Sequence, residues 1–165
     1  MTRLEKFHYV IDHWFLQDGC VCSKRTGKPL SFPRIDNSGH LQACTCSTDR
    51  RHIHVYKHEA VYMLHHNRPI GEGMQIHHID GNPLNNCPSN LVELTPTQHR
   101  RIHAYQCDDP LRCIRLKKGS WEFYWTDDDG RQRSKSFHEI NDAMLFRAEI
   151  EEPRRAELRA LGLNC

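Results

Sequence analysis

Apolar and polar residues change their period several times along this chain, and each change predicts an element. Short strands are expected at Cys20 to Ser23, His40 to Cys46 and Ile53 to Tyr56, where side chains alternate. Asp18-Gly19, Thr26-Gly27-Lys28 and Asn37-Ser38-Gly39 read as the turns around them. The period then lengthens. Ala60, Val61 and Leu64 share one face of a helix expected from about His58 to His66, which Arg68-Pro69-Ile70-Gly71 ends. Met74 to Ile79 and Leu91 to Leu94 return as strands, separated by the turn Asp80-Gly81-Asn82-Pro83 and an asparagine-rich loop. Thr95-Pro96-Thr97-Gln98 then opens a helix to about Tyr105. Thr95 can cap it, Pro96 suits its first position, and Gln98 completes a capping box.

A polar joint, Gln106-Cys107-Asp108-Asp109-Pro110, separates this half from a second one. There Leu111 to Lys117, Ser120 to Thr126 and Arg131 to Phe137 read as three strands, turned at Lys118-Gly119 and Asp127-Asp128-Asp129-Gly130. A helix is expected from about Glu139 to Glu151, with Pro153 interrupting or kinking it before a loosely held second helix. The expected fold class is α+β, with domains at 1–106 and 107–165.

Composition narrows the function. Mean hydropathy is −0.75 over 165 residues, so each core must be modest. The 23 Lys/Arg nearly balance 21 Asp/Glu, which does not exclude nucleic acid, because the distribution of charge decides. No run approaches the roughly 18 to 20 apolar residues of a membrane span. The N-terminal stretch also lacks a signal peptide's apolar run, so a cytoplasmic location is expected. In that compartment the eight cysteines read as thiols or metal ligands rather than a disulfide framework. Cys20-Val21-Cys22 and Cys44-Thr45-Cys46 each place two sulfurs on one face of a strand. Antiparallel pairing of those strands could gather all four as a structural Zn²⁺ site, although small buried side chains on a sheet are the commoner use of such residues.

The thirteen histidines carry the sharper signal. His99 and His103 stand four apart and share a helical face. His77 and His78, adjacent on a strand, point to opposite sides, so one can face the helix while the other sits beside a substrate. Three imidazoles with an open fourth position make a catalytic rather than a closed metal site. The remaining histidine, with an ordinary pKa near ~6.5, is suited to taking a proton from water at neutral pH.

The strand–loop–strand–helix from Met74 to Tyr105, with HHIDGNPLNN and SNLVELTPTQH, resembles the HNH endonucleases, the ββα-metal (His-Me finger) family. It is most similar to their phage and intron-encoded homing-type members, over about Asp18 to Tyr105. The resemblance implies that His77 and His99 bind one divalent metal ion (Mg²⁺, Mn²⁺ or Zn²⁺), with His103 as a third ligand found only in some branches. It implies His78 as the general base and Asn90 as the residue that holds the loop. The first ligand is often Asp in homing members, and His77 tilts the site toward softer metals. Those members often begin the preceding helix with His-Arg, where this chain has His58-Glu59; a packing or capping role is expected for His58. The implied reaction is hydrolysis of duplex DNA to 5′-phosphate and 3′-hydroxyl ends by a monomer, as a nickase or otherwise. The alternative is a catalytically inactive, metal-stabilised DNA-binding protein on the same scaffold. The residues leave RNA and branched DNA open as substrates. If the chain is phage-encoded, it would work in the host cytoplasm.

In the second half, Arg131, Arg133 and Lys135 alternate on one strand and Arg115 and Lys117 on another. They are expected to give the small sheet a basic face for a DNA groove, with the helix on the opposite face. Of Trp121, Phe123 and Trp125, at least one should be core. This half is similar to the APETALA-type DNA-binding domain, which recurs fused to homing-type nucleases.

Overall fold

A computed structural model of the chain describes residues 2–46, 52–107 and 109–165. It is mixed α+β and divides into two compact units, Met1–His99 and Arg100–Cys165. The division falls inside one continuous helix.

The first unit opens with α1 (Arg3–His13), which the alternation did not predict. Its start was nonetheless encoded: Thr2 Oγ1 accepts from the Glu5 backbone N–H at 3.1 Å, and the Thr2 N–H donates to Glu5 Oε2 at 2.7 Å. Phe7 and Val10, one turn apart, are its buried residues. Strands β1 (Trp14–Gln17) and β2 (Cys20–Ser23) form a hairpin. Asp18 and Gly19 turn it with φ of 49° and 73°, the positive pair that a two-residue turn requires. A second sheet joins β3 (Arg34–Ile35), β4 (Leu41–Cys46) and β5 (His52–Tyr56) in that order. Helix α2 (Lys57–His66) follows, and Asn67 at φ 49° closes it. Val10, Trp14, Val21, Val55, Ala60, Val61, Met63 and Ile76 meet in one core. Each large side chain buried there contributes on the order of 1.5–3 kcal/mol.

Strands β6 (Gln75–His78) and β7 (Leu91–Leu94) form the third sheet, with His77 opposite Val92 and His78 opposite Leu91. Helix α3 (Pro96–Tyr105) comes next. Its expected capping box is present: Gln98 N–H donates to Thr95 Oγ1 at 3.1 Å, and Thr95 N–H to Gln98 Oε1 at 2.9 Å. Glu93 on β7 ties the preceding loop to the hairpin by accepting from Arg68 and the Gly71 N–H, both at 2.6 Å.

Two expectations fail in the sheets and in the last helix. Strand β2 pairs with β1, and β4 pairs with β3 and β5, so the C-x-C strands belong to different sheets. The pairing that would gather Cys20, Cys22, Cys44 and Cys46 around zinc does not occur, because each strand finds its partner in its nearest hairpin. Cys22 is instead a buried side chain packed as a small hydrophobe, while Cys20 is exposed.

In the second unit β8 (Ile114–Lys117), β9 (Ser120–Thr126) and β10 (Gln132–Phe137) form an antiparallel sheet with β9 in the middle. Helix α4 runs from Ile140 to Ala160 through Pro153, so of the interruption or kink expected there, the interruption and the separate second helix do not occur. Losing one backbone bond at proline costs roughly 3 kcal/mol. Anchors beyond it offset that loss: Leu158 and Leu163 are buried, and Arg155 pairs with Glu151 across the proline at 3.2 Å. Among the described residues no helix is long and apolar enough to cross a membrane.

Candidate functional site

The β6–β7 hairpin and α3 carry the candidate site. His77 and His78 are both buried, yet they face different neighbours. The His77 ring meets that of His99 at 5.1 Å, nearly perpendicular. Ligand atoms of His77, His99 and His103 all lie within 4.8 Å of one another, which a shared ion requires. Three nitrogen donors on a hairpin and a helix fit a divalent metal with a free coordination position. His77 is the buried member, His99 is half-buried and His103 is exposed.

His78 lies on the other side of β6. Its Nε2 is 3.3 Å from Asn86 Oδ1, while Asn86 Nδ2 donates to the Leu84 carbonyl at 3.0 Å. That second bond fixes which way the Asn86 amide points, so an oxygen faces His78. The Nε2 must then carry the proton, leaving Nδ1 as the proton-accepting atom. Burial pushes the His78 pKa below its ordinary value, opposed by the Asn86 hydrogen bond and reinforced by His40. The ring is therefore neutral near pH 7, as a general base needs.

Two further histidines enclose it. The His58 ring lies 5.3 Å from His78 and 4.8 Å from His40, and His40 stacks on His78 at 5.6 Å. Burial first, and then His40 and His78, push the His58 pKa down to about 3. The expected packing role of His58 is what it shows: Tyr56 stands at the N-cap of α2, and no side chain caps it. His40 is held by Asp36, Nδ1 to Oδ2 at 3.4 Å. His40 carried no sequence signal, because it reaches the site through tertiary packing; Asn86 ends the HHIDGNPLNN motif, but its contact with His78 depends on loop geometry.

Asn90 organises the loop between the strands. Its Oδ1 accepts from the Asp80 N–H at 3.0 Å. Its Nδ2 donates to Asp80 Oδ1 at 2.9 Å and to the Asn85 carbonyl at 2.8 Å. Donors from the Asn85 side chain, the Asn82 backbone and Asn90 in turn hold the Asp80 pKa down at about 2. A single buried amide thus fixes the chain that turns away from His78.

The five basic residues expected to contact DNA are not gathered on one face of the sheet. Arg115 pairs with Glu122, whereas Arg133 pairs with Trp125 and Lys135 with Phe123. Cross-strand partners share a face, so Arg115 and Lys117 project from one side of the sheet and Arg133 and Lys135 from the other. Arg131 precedes β10. The expectation of a single basic face is therefore incorrect. Alternation gave the period of each strand, but the register of β8 and β10 against β9 decided which face each set took. The second set lies on the helix-covered side: Phe123, Trp125 and Phe137 pack with Phe146 of α4, and Lys135 Nζ is 3.9 Å above the Phe146 ring. Phe123 is core, as expected of at least one aromatic. On the uncovered face Glu122 binds both Arg115 and Lys117, at 2.7 and 3.0 Å, and Arg115 lies over Tyr124.

Residues 55–101 match the model of a family described as HNH endonuclease. The matched stretch contains His58, His77, His78, Asn90 and His99 and stops before His103. The match supports nuclease activity for that stretch. No curated protein and no solved structure matches the chain.

Proposed function

We propose that the protein is a metal-dependent endonuclease of the homing type that hydrolyses duplex DNA, with a ββα-metal core at 74–105. The observation that carries this reading is the division of the histidine pair. His77 joins His99 and His103 in a cluster of donors, while His78 sits apart with a proton-accepting nitrogen. His77 and His99 would hold the ion, with His103 as a third, outer ligand. When bound there, a divalent ion supplies positive charge beside the scissile phosphate and the leaving oxygen.

His78 Nδ1 takes a proton from water as the water oxygen attacks phosphorus. The bond from phosphorus to the 3′ oxygen breaks, and that oxygen leaves as a 3′-hydroxyl once protonated. The other product keeps the 5′-phosphate. Asn86 holds His78 in the required tautomer, His40 and His58 keep its ring in place, and Asn90 fixes the loop beyond it. The resemblance to homing-type members also implies a monomer, cutting as a nickase or otherwise.

For the second unit, an APETALA-type DNA-binding role is supported by the uncovered sheet face. That face presents Arg115, Lys117, Tyr124, Gln132, Ser134 and Ser136, all able to contact phosphates or base edges. Arg131, Arg133 and Lys135 would reach phosphate only from the sheet's other side or its rim.

The test is plasmid cleavage by wild type and His78→Ala in Mg²⁺ or Mn²⁺. The variant is expected to cut about 10²- to 10⁴-fold more slowly while still binding DNA. Equal cutting by the two proteins would overturn the enzyme reading in favour of an inactive DNA-binding scaffold. Running duplex, branched and single-stranded DNA beside RNA identifies the substrate.

A further inference from the structure

A second group of soft ligands lies on the outer face of the β4–β5 hairpin. Cys44 stands opposite His54 and Cys46 opposite His52. Cross-strand partners project to the same side of a sheet. On these two strands Ala43, Ile53 and Val55 turn inward, while Cys44, Cys46, His52 and His54 are all exposed. His52 Nδ1 lies between the two sulfurs, 3.6 Å from Cys44 Sγ and 3.8 Å from Cys46 Sγ.

We propose that Cys44, Cys46, His52 and His54 form a second metal site, which takes a soft divalent ion such as Zn²⁺ in Cys₂His₂ coordination. Zinc bonds of about 2.3 Å to sulfur and 2.0–2.1 Å to nitrogen, at a tetrahedral angle, set a sulfur–nitrogen edge of about 3.6 Å. The two sulfur–nitrogen separations already lie close to that edge. The four donors are not drawn to a point as those of His77, His99 and His103 are. Binding pulls the exposed Cys44 and His54 side chains inward by rotation, and the two thiols release their protons to solvent.

A disulfide does not compete for this pair. Same-face residues two apart on a strand have Cβ atoms separated by roughly 6.5–7 Å, against about 3.8 Å in a disulfide. Two thiolates select against Mg²⁺, which prefers oxygen ligands, so this site differs in metal preference from an all-imidazole one. Its role is a staple across the hairpin. Such a staple suits a unit with a modest core. The far end of β5 also bears on the candidate active site, because Tyr56 stacks on His58 at 5.3 Å and His58 touches His78.

Cobalt titration of the reduced full-length protein tests the site, since thiolate-to-cobalt charge-transfer absorption reports sulfur ligands and is silent at imidazoles. Wild type, Cys20→Ser/Cys22→Ser and His77→Ala/His99→Ala are expected to develop the band with one equivalent of ion. Cys44→Ser/Cys46→Ser is expected to lose it. In a chelator competition with Zn²⁺, His52→Ala, which keeps both thiols, should bind at least ~10-fold more weakly, a loss that even changes behind a ligand can produce. The proposal is overturned by no band in wild type, by a band that survives loss of Cys44 and Cys46, or by unchanged zinc affinity in His52→Ala. Nuclease activity is read nowhere in this test, so its outcome is independent of the cleavage mechanism.

Discussion

The β6–β7 hairpin and the β8–β9–β10 sheet are built from the same antiparallel pairing, yet one concentrates its polar side chains and the other divides them. In the hairpin, alternation turns His77 toward His99 and His78 toward Asn86, and a capped helix completes the donor cluster. In the sheet, the same alternation sends Arg115 and Lys117 to one face and Arg133 and Lys135 to the other. Glu122 then bridges the first pair. Spacing within one element therefore foretells a face, while agreement between elements depends on register.

The comparison breaks most directly at the donor cluster. His99→Ala should weaken divalent-metal binding by ~100-fold or more, since a first ligand cannot matter less than the groups behind it. His103→Ala should cost under about tenfold, because His103 is the exposed member; titration calorimetry reads both. Equal losses would make the two helical histidines equivalent ligands. Next in size is Asn90→Ala, which removes the three hydrogen bonds that tie the buried Asn90 side chain to Asp80 and Asn85. A destabilisation of about 2–3 kcal/mol is expected, measured by denaturant unfolding.

The divided sheet gives smaller effects. Arg115→Ala with Lys117→Ala should weaken duplex binding and lower the salt slope by about 2, one for each phosphate that is no longer neutralised. Arg133→Ala with Lys135→Ala should change the slope less, and the reverse order would assign DNA to the helix-covered side. The smallest effect concerns His58. Its folded pKa, about 3, lies below the ordinary 6.5, so below pH 6.5 the unfolded chain takes up a proton that the folded protein does not. The stability it contributes is complete above pH 6.5 and declines as pH falls toward 3, by at most about 1.4 kcal/mol per pH unit. His58→Leu should flatten that acid limb in thermal melts taken between pH 7 and about pH 5.

Much of the candidate site was legible because its parts are local. A two-residue periodicity separates His77 from His78, four residues align His99 with His103, and Thr95 and Gln98 cap the helix that carries them. What was not legible came from partners distant in sequence. His40 and His58 reach His78 across sheet and helix, and no periodicity marks such an approach. Helix α1 escaped notice because charges interrupt its apolar positions, although Thr2 and Glu5 spell its cap. Pro153 misled for a related reason: its local cost is outweighed by the burial of Leu158 and Leu163 beyond it.

The central claim is that the adjacent histidines are divided into ligand and base, and an anomalous difference map from Mn²⁺-soaked crystals tests it most directly. The division predicts a peak coordinated by the imidazoles of His77 and His99, with His78 outside the coordination shell. A peak ligated by His78, or no peak at His77 and His99, would contradict it.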